Sequence, residues 1–159
     1  MGDGDRSRVI FLCTGNSCRS QMAEGWARHL LGDRVDACSA GTSPQGVNPL
    51  AIRAMRECGI DLGLNRSKAV DECSPETLDL VVTVCDDARE RCPVLLSRDG
   101  RPRLVHHSFD DPPRLTADAR DDEDAMPCYR RVRDEIRLFV EELLPDLVGS
   151  DVQERTDAR

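Results

Sequence analysis

The chain has 159 residues, enough for one domain with a real core and too few for two comfortable ones. A formal charge of −8 argues against a broad nucleic-acid surface, and no apolar run approaches the length needed to cross a bilayer. Met1–Ser7 is polar and lacks the apolar stretch of a secretory leader, so a cytoplasmic protein is expected, with its eight cysteines not organised as a permanent disulfide framework.

In chain order, Val9–Leu12 reads as a buried strand and Gln21–Leu31 as a helix with Met22, Trp26 and Leu30 on one face. Val35–Ala40 is a second strand, closed by Gly41. Pro49 opens a helix carrying Leu50, Ala51, Ala54, Met55 and Cys58, and Gly59 ends it. Ser74-Pro75-Glu76 caps a short helical turn before the strand Leu80–Val84, and Leu104–His107 forms one more strand. Asp118–Asp124 is expected as an exposed acidic loop; after it, Val132, Ile136, Phe139, Val140 and Leu143 mark a long amphipathic helix ending near Pro145. Strands alternating with helices predict an α/β fold: a single three-layer domain over residues 8–145 with a central, mostly parallel four-stranded sheet flanked by helices. Residues 1–7 and 146–159 are expected to be polar, flexible tails.

Chemistry concentrates in Cys13-Thr14-Gly15-Asn16-Ser17-Cys18-Arg19-Ser20, between the first strand and the first helix. Backbone N–H groups of such a loop converge on a tetrahedral oxyanion, and the helix behind adds the positive end of its dipole. Arg19 can give two parallel hydrogen bonds to two anion oxygens. The same field stabilises the Cys13 thiolate, which points to nucleophilic attack on a phosphate-like anion. In an acidic chain this attraction has to be local.

Two further features belong to the same edge of the predicted sheet. Cys85 ends the strand Leu80–Val84, and Cys92 follows across a polar segment. Three thiols in series can give two electrons to an anion and carry the resulting disulfide outward. Spacing alone leaves open that Cys85 is a core residue and Cys92 a surface thiol. The loop Ser108–Pro113 carries Asp110 and Asp111, an ordinary turn composition that could also hold a general acid; Asp111 is favoured because Pro112 restricts its backbone. No zinc site is expected, since there is no C-x-x-C pair and the histidines are His29, His106 and His107. Cys38, Cys58, Cys73 and Cys128 are read as packed or incidental thiols, and Cys18 as contributing its backbone N–H.

From Val9 to Leu144 the chain resembles the thioredoxin-coupled arsenate reductases, which share the low-molecular-weight protein tyrosine phosphatase fold. The resemblance rests on Phe11–Trp26, Ser39-Ala40-Gly41, Gly46-Val47-Asn48-Pro49, Ala51-Ile52, Asp79–Cys85 with Cys92-Pro93, Phe109–Pro112 and Arg131–Ile136. It implies that Cys13 attacks arsenate held by Arg19 and by the backbone of Thr14, Gly15, Asn16, Ser17, Cys18 and Ser20, while Asp111 protonates the departing oxygen. It implies further that Cys85 attacks Cys13, that Cys92 attacks Cys85, and that thioredoxin reduces the Cys85–Cys92 disulfide. Asn16 and Ser39 match positions that brace the loop. No bound cofactor is implied apart from a potassium ion in some members, and here Arg66 and Lys68 bring positive charge where that cation would sit. His107-Ser108 replaces an aromatic-glycine pair, which loosens the expected wall of the site. A monomer is expected, with thioredoxin as partner. The alternative is a low-molecular-weight tyrosine phosphatase using Cys13, Arg19 and Asp111 with water; the scarcity of aromatic residues near Asp111 weighs against it.

Overall fold

The structure, a computed structural model, describes residues 6–85 and 102–149. Four strands form one parallel sheet: β1 (Ser7–Cys13), β2 (Val35–Gly41), β3 (Leu80–Thr83) and β4 (Arg103–His106), in the order β2-β1-β3-β4. The apolar run of β1 explains its place in the interior, because a parallel strand covered on both faces has no side to give to water. Val9, Ile10, Phe11 and Leu12 are completely buried, as are Leu80, Val81 and Val82.

The helices are α1 (Arg19–Leu31), α2 (Pro49–Arg56), the short α3 (Pro112–Leu115) and α4 (Asp122–Leu138). Both α1 and α2 pack on α4. Trp26 ties the first of these contacts, its indole N–H donating to the Arg133 carbonyl at 3.1 Å. Parallel register brings the strand ends to one edge of the sheet. Cys13 pairs with Gly41, Leu12 with Thr83, and the chain beyond β3 stays attached as the Val84 amide donates to the Leu12 carbonyl at 2.9 Å. Beyond β4, the amides of His107 and Phe109 donate to the carbonyls of Thr83 and Val84. The acid loop therefore arrives at the same edge as Cys13 and Cys85.

Four expectations require correction. The acidic stretch is not all loop: Asp122, Glu123 and Asp124 form the first turn of α4, and the Asp121 side chain caps it by accepting from the Asp124 amide at 2.8 Å. Carboxylates at a helix N-terminus are stabilised by its dipole, which a reading by apolar content overlooks. The last helix does not end near Pro145. It widens into a π-turn at Phe139–Leu143 and continues through 144–149, with Leu144 and Val148 buried, so 146–149 is not a frayed tail. Ser74 does not cap through its side chain; it adopts a left-handed backbone (φ 50°), and its carbonyl accepts from the Thr77 amide and hydroxyl. Finally, Cys38 and Cys73 are not incidental thiols: they form a disulfide, whereas Cys58 and Cys128 remain free.

Candidate active site

The segment after β1 owes its shape to what holds its carbonyls. The amides of Thr42, Ser43, Gln45 and Asn48 donate to the carbonyls of Cys13, Thr14, Gly15 and Ser17 at 2.8–3.3 Å. A trans peptide points its C=O and N–H in opposite directions. Holding the carbonyls of Cys13, Thr14 and Ser17 on the side of 42–48 therefore turns the amides of Thr14, Gly15 and Cys18 the other way. This second loop was given no role of its own from the sequence, although Gly46-Val47-Asn48-Pro49 at its end carries part of the family resemblance. Gly41 is needed for the approach, since a side chain there would meet the Thr14 carbonyl at 2.6 Å.

Asn16 is the keystone of the loop. Fully buried, it adopts the left-handed region (φ 46°), which asparagine tolerates better than most residues. Its Oδ1 accepts from the Lys68 amide (3.0 Å) and from Gln21 Nε2 (3.0 Å). Its backbone carbonyl accepts from the Ser67 hydroxyl at 2.6 Å. Its Nδ2 donates to Ser20 Oγ at 2.9 Å, and Ser20 Oγ lies 2.8 Å from Cys13 Sγ. Because the Asn16 amide can only donate, the Ser20 oxygen accepts from it, which leaves the hydroxyl proton available to a Cys13 thiolate. Ser20 thus contributes its hydroxyl, more than the backbone group expected of it. Ser39, predicted to brace the loop by hydrogen bonding, does not: its hydroxyl is buried without a hydrogen-bond partner.

Arg19 opens α1, which no side chain caps. One of its guanidinium nitrogens donates to the Phe109 carbonyl at 3.0 Å, and the other lies 3.7 Å from Asp111 Oδ2. Asp110, which also lines the cavity beside Cys85, pairs with Arg131 at 3.1 Å. A cavity of about 470 Å³ holds Cys13, Gly15, Ser17 and Cys18; a neighbouring one of about 440 Å³ holds Cys85 and Ser108. Thr14, Arg19 and Asp111 line both. Cys13 and Cys85 are free thiols, each only 4% exposed, and Thr14 Oγ1 lies 3.6 Å from Cys85 Sγ. At Cys18, burial, and then the neighbouring Cys13, push the thiol far above the usual range, against the opposing pull of Arg19. It is a poor nucleophile. Cys92 lies outside the described residues.

Beside the cradle, the buried Glu24 carboxylate takes a hydrogen bond from Asn65 Nδ2 (2.9 Å) and faces Arg28 (3.5 Å) and Lys68 Nζ (3.6 Å). Arg66 points elsewhere, to Glu72. Two cationic side chains thus share this one carboxylate. Sequence reasoning gave no role to Gln21 and Glu24, whose polar character inside a helix carries no signature of its own. The loosened wall expected at His107 is filled, since its ring sits 4.7 Å from those of both Phe109 and Phe139.

The parallel sheet, the Cys-x5-Arg loop at its edge and the aspartate facing it define the class. Residues 8–155 match the low molecular weight phosphotyrosine protein phosphatase family, and the chain belongs to that family. Within it, the arsenate reductase of Halalkalibacterium halodurans is 48% identical over 128 residues, covering 80% of this chain and 88% of the relative. The arsenate reductase of Bacillus subtilis is 46% identical over 128 residues, with the same coverage. Among solved structures, an arsenate reductase in a phosphate-binding state superposes with a TM-score of 0.71 at 28% identity, over 91% of this chain and 98% of that one.

Proposed function

We propose that this protein reduces arsenate to arsenite through Cys13, Cys85 and Cys92, with thioredoxin as the final reductant. The observation that carries this reading is the shared cleft, in which Thr14, Arg19 and Asp111 stand between a nucleophilic thiol and a second free thiol. A phosphatase needs the first thiol alone; the second supplies the electron pair that the arsenic of the intermediate has to gain.

In this reading the Cys13 thiolate, stabilised by the Ser20 hydroxyl, attacks arsenic while Arg19 and the loop amides hold the oxygens. An As–O bond breaks, and Asp111 carries a proton to the departing oxygen, which leaves as water. Cys85 then attacks Cys13 Sγ. The S–As bond breaks with its electron pair going to arsenic, which leaves as arsenite, and a Cys13–Cys85 disulfide remains. Cys92 attacks Cys85 and frees Cys13, and a dithiol partner reduces the Cys85–Cys92 disulfide. Lys68 supplies the positive charge beside Glu24, so exchanging sodium for potassium is expected to leave the rate unchanged.

The test is arsenate-dependent oxidation of NADPH in the presence of thioredoxin and thioredoxin reductase. Wild type should turn over and Cys92→Ser should stop after a single reduction. Turnover surviving in Cys92→Ser would assign recycling to another thiol system. Absence of turnover, with aryl phosphate hydrolysed through Cys13, would make the protein a phosphatase.

A further inference from the structure

The Cys38–Cys73 disulfide has no part in the thiol series above, yet it fastens the strap that holds Asn16. We propose that this pair is a second, reducible site: a latch whose closed form tightens the oxyanion loop and whose opening by a dithiol weakens anion binding. The inference concerns the same cradle as the proposed function and rests on that reading only in regarding the cradle as the anion site.

The strap runs from Arg66 to Cys73. At its start, the Ser67 hydroxyl and the Lys68 amide hold the backbone carbonyl and side chain of Asn16, and the Arg66 carbonyl accepts from Gln21 Nε2 at 3.2 Å. In its middle, the Lys68 carbonyl accepts from the Gly41 amide at 2.8 Å, and Ala69 bridges to Gly41. At its end, a 3-10 turn, Val70–Cys73, delivers Cys73 to Cys38, with 6.2 Å between the two Cα atoms. Cys38 lies only three positions before Gly41 on β2, so the strap is fixed to one strand twice, once by hydrogen bonds and once covalently. Removing the covalent attachment leaves Asn16, a residue in a left-handed conformation, dependent on the remaining contacts.

The pair can be opened without dismantling the core. Cys73 is 2% exposed, whereas Cys38 is only half-buried. A dithiol thiolate would attack Cys38 Sγ, the S–S bond would break, and Cys73 would leave as a thiolate and take up a proton. The second thiol of the reductant would then release Cys38 as a free thiol, two electrons having passed from the reductant to the pair. Exchange with an oxidised small disulfide reverses the steps. The reduced state is also accommodated: Cys73 Sγ lies 3.6 Å from the Ser39 carbonyl, which stands ready to accept from the new S–H.

The test uses the Cys13→Ser/Cys85→Ser/Cys92→Ser protein, in which the catalytic disulfides cannot form, with inorganic phosphate as the probe. Peptide mapping after alkylation should find Cys38 linked to Cys73 in the air-oxidised protein and separated after dithiothreitol. By calorimetry, reduction should weaken phosphate binding on the order of fivefold. Linkage requires that saturating phosphate shift the thiol–disulfide equilibrium by the same factor, equivalent to about 20 mV. Adding Cys38→Ser should give the weak affinity whether or not reductant is present. Equal affinities in the two redox states, or the absence of the linked peptide, would overturn the proposal. If the serine variant does not fold, the comparison of oxidised and reduced protein decides alone. Phosphate binding needs no arsenate turnover, so a failure of the latch and a failure of the proposed reaction are separate results.

Discussion

The Ser20 hydroxyl stands between Asn16 and the Cys13 sulfur, and its removal isolates one hydrogen bond to that sulfur. A hydrogen bond to a charged group is worth about 1.5–3 kcal/mol, so Ser20→Ala should slow alkylation of Cys13 by iodoacetamide at neutral pH by roughly tenfold or more. An unchanged rate would assign thiolate stabilisation to the amides and Arg19 alone. The two aspartates of the acid loop make a second residue-level contrast. Asp111 faces Arg19 across the cleft while Asp110 pairs with Arg131 at the surface. Asp111→Asn should lower kcat for arsenate by about 10²-fold or more, with phosphate binding retained, and Asp110→Asn should change it little. Steady-state kinetics on the two variants separates them.

The joint between α2 and α4 shows what the exposed ionic groups contribute at the scale of elements. Glu57, at the end of α2, accepts a forked pair of hydrogen bonds from Arg130 (3.0 and 2.8 Å) and a third from Arg133 (2.9 Å). Arg133 also donates to the Ala54 carbonyl, one of the last in α2. Hydrogen bonds from Arg130 above all hold the Glu57 carboxyl at about 2, against an ordinary 4.5. The stabilisation from this lowered carboxyl is therefore whole above pH 4.5 and is lost as pH falls toward 2. The Glu57 side chain is 35% exposed, so solvent screening limits the contribution to about 1 kcal/mol or less. Denaturant titrations should show wild type and Glu57→Gln separated by that amount at pH 6 and converging toward pH 2; a constant separation would mean that packing, not charge, accounts for the difference.

For the whole molecule, the disulfide closes a loop across 35 residues, from β2 past α2 to the turn before β3. Loop-closure entropy assigns such a link about 3–4 kcal/mol, so Cys38→Ser should lower Tm by roughly 10 °C in a calorimetric scan without reductant. This effect resides in the unfolded chain and is distinct from the change in phosphate affinity, which belongs to the folded one. The sequence by itself determined the strand–loop–helix framework, the Cys13/Arg19 cradle and the Cys85 position, because periodicity and a short oxyanion motif are local properties of the chain. It also gave a reason to prefer Asp111 to Asp110, the backbone restriction that Pro112 imposes. Only the tertiary structure decided that Asn16 turns inward to be held by Gln21, Ser67 and Lys68, that the 42–48 segment orients the loop's peptides, and that Cys38 meets Cys73. These are contacts between segments distant in the chain, and no local pattern records which polar group another will reach once the apolar core has brought them together.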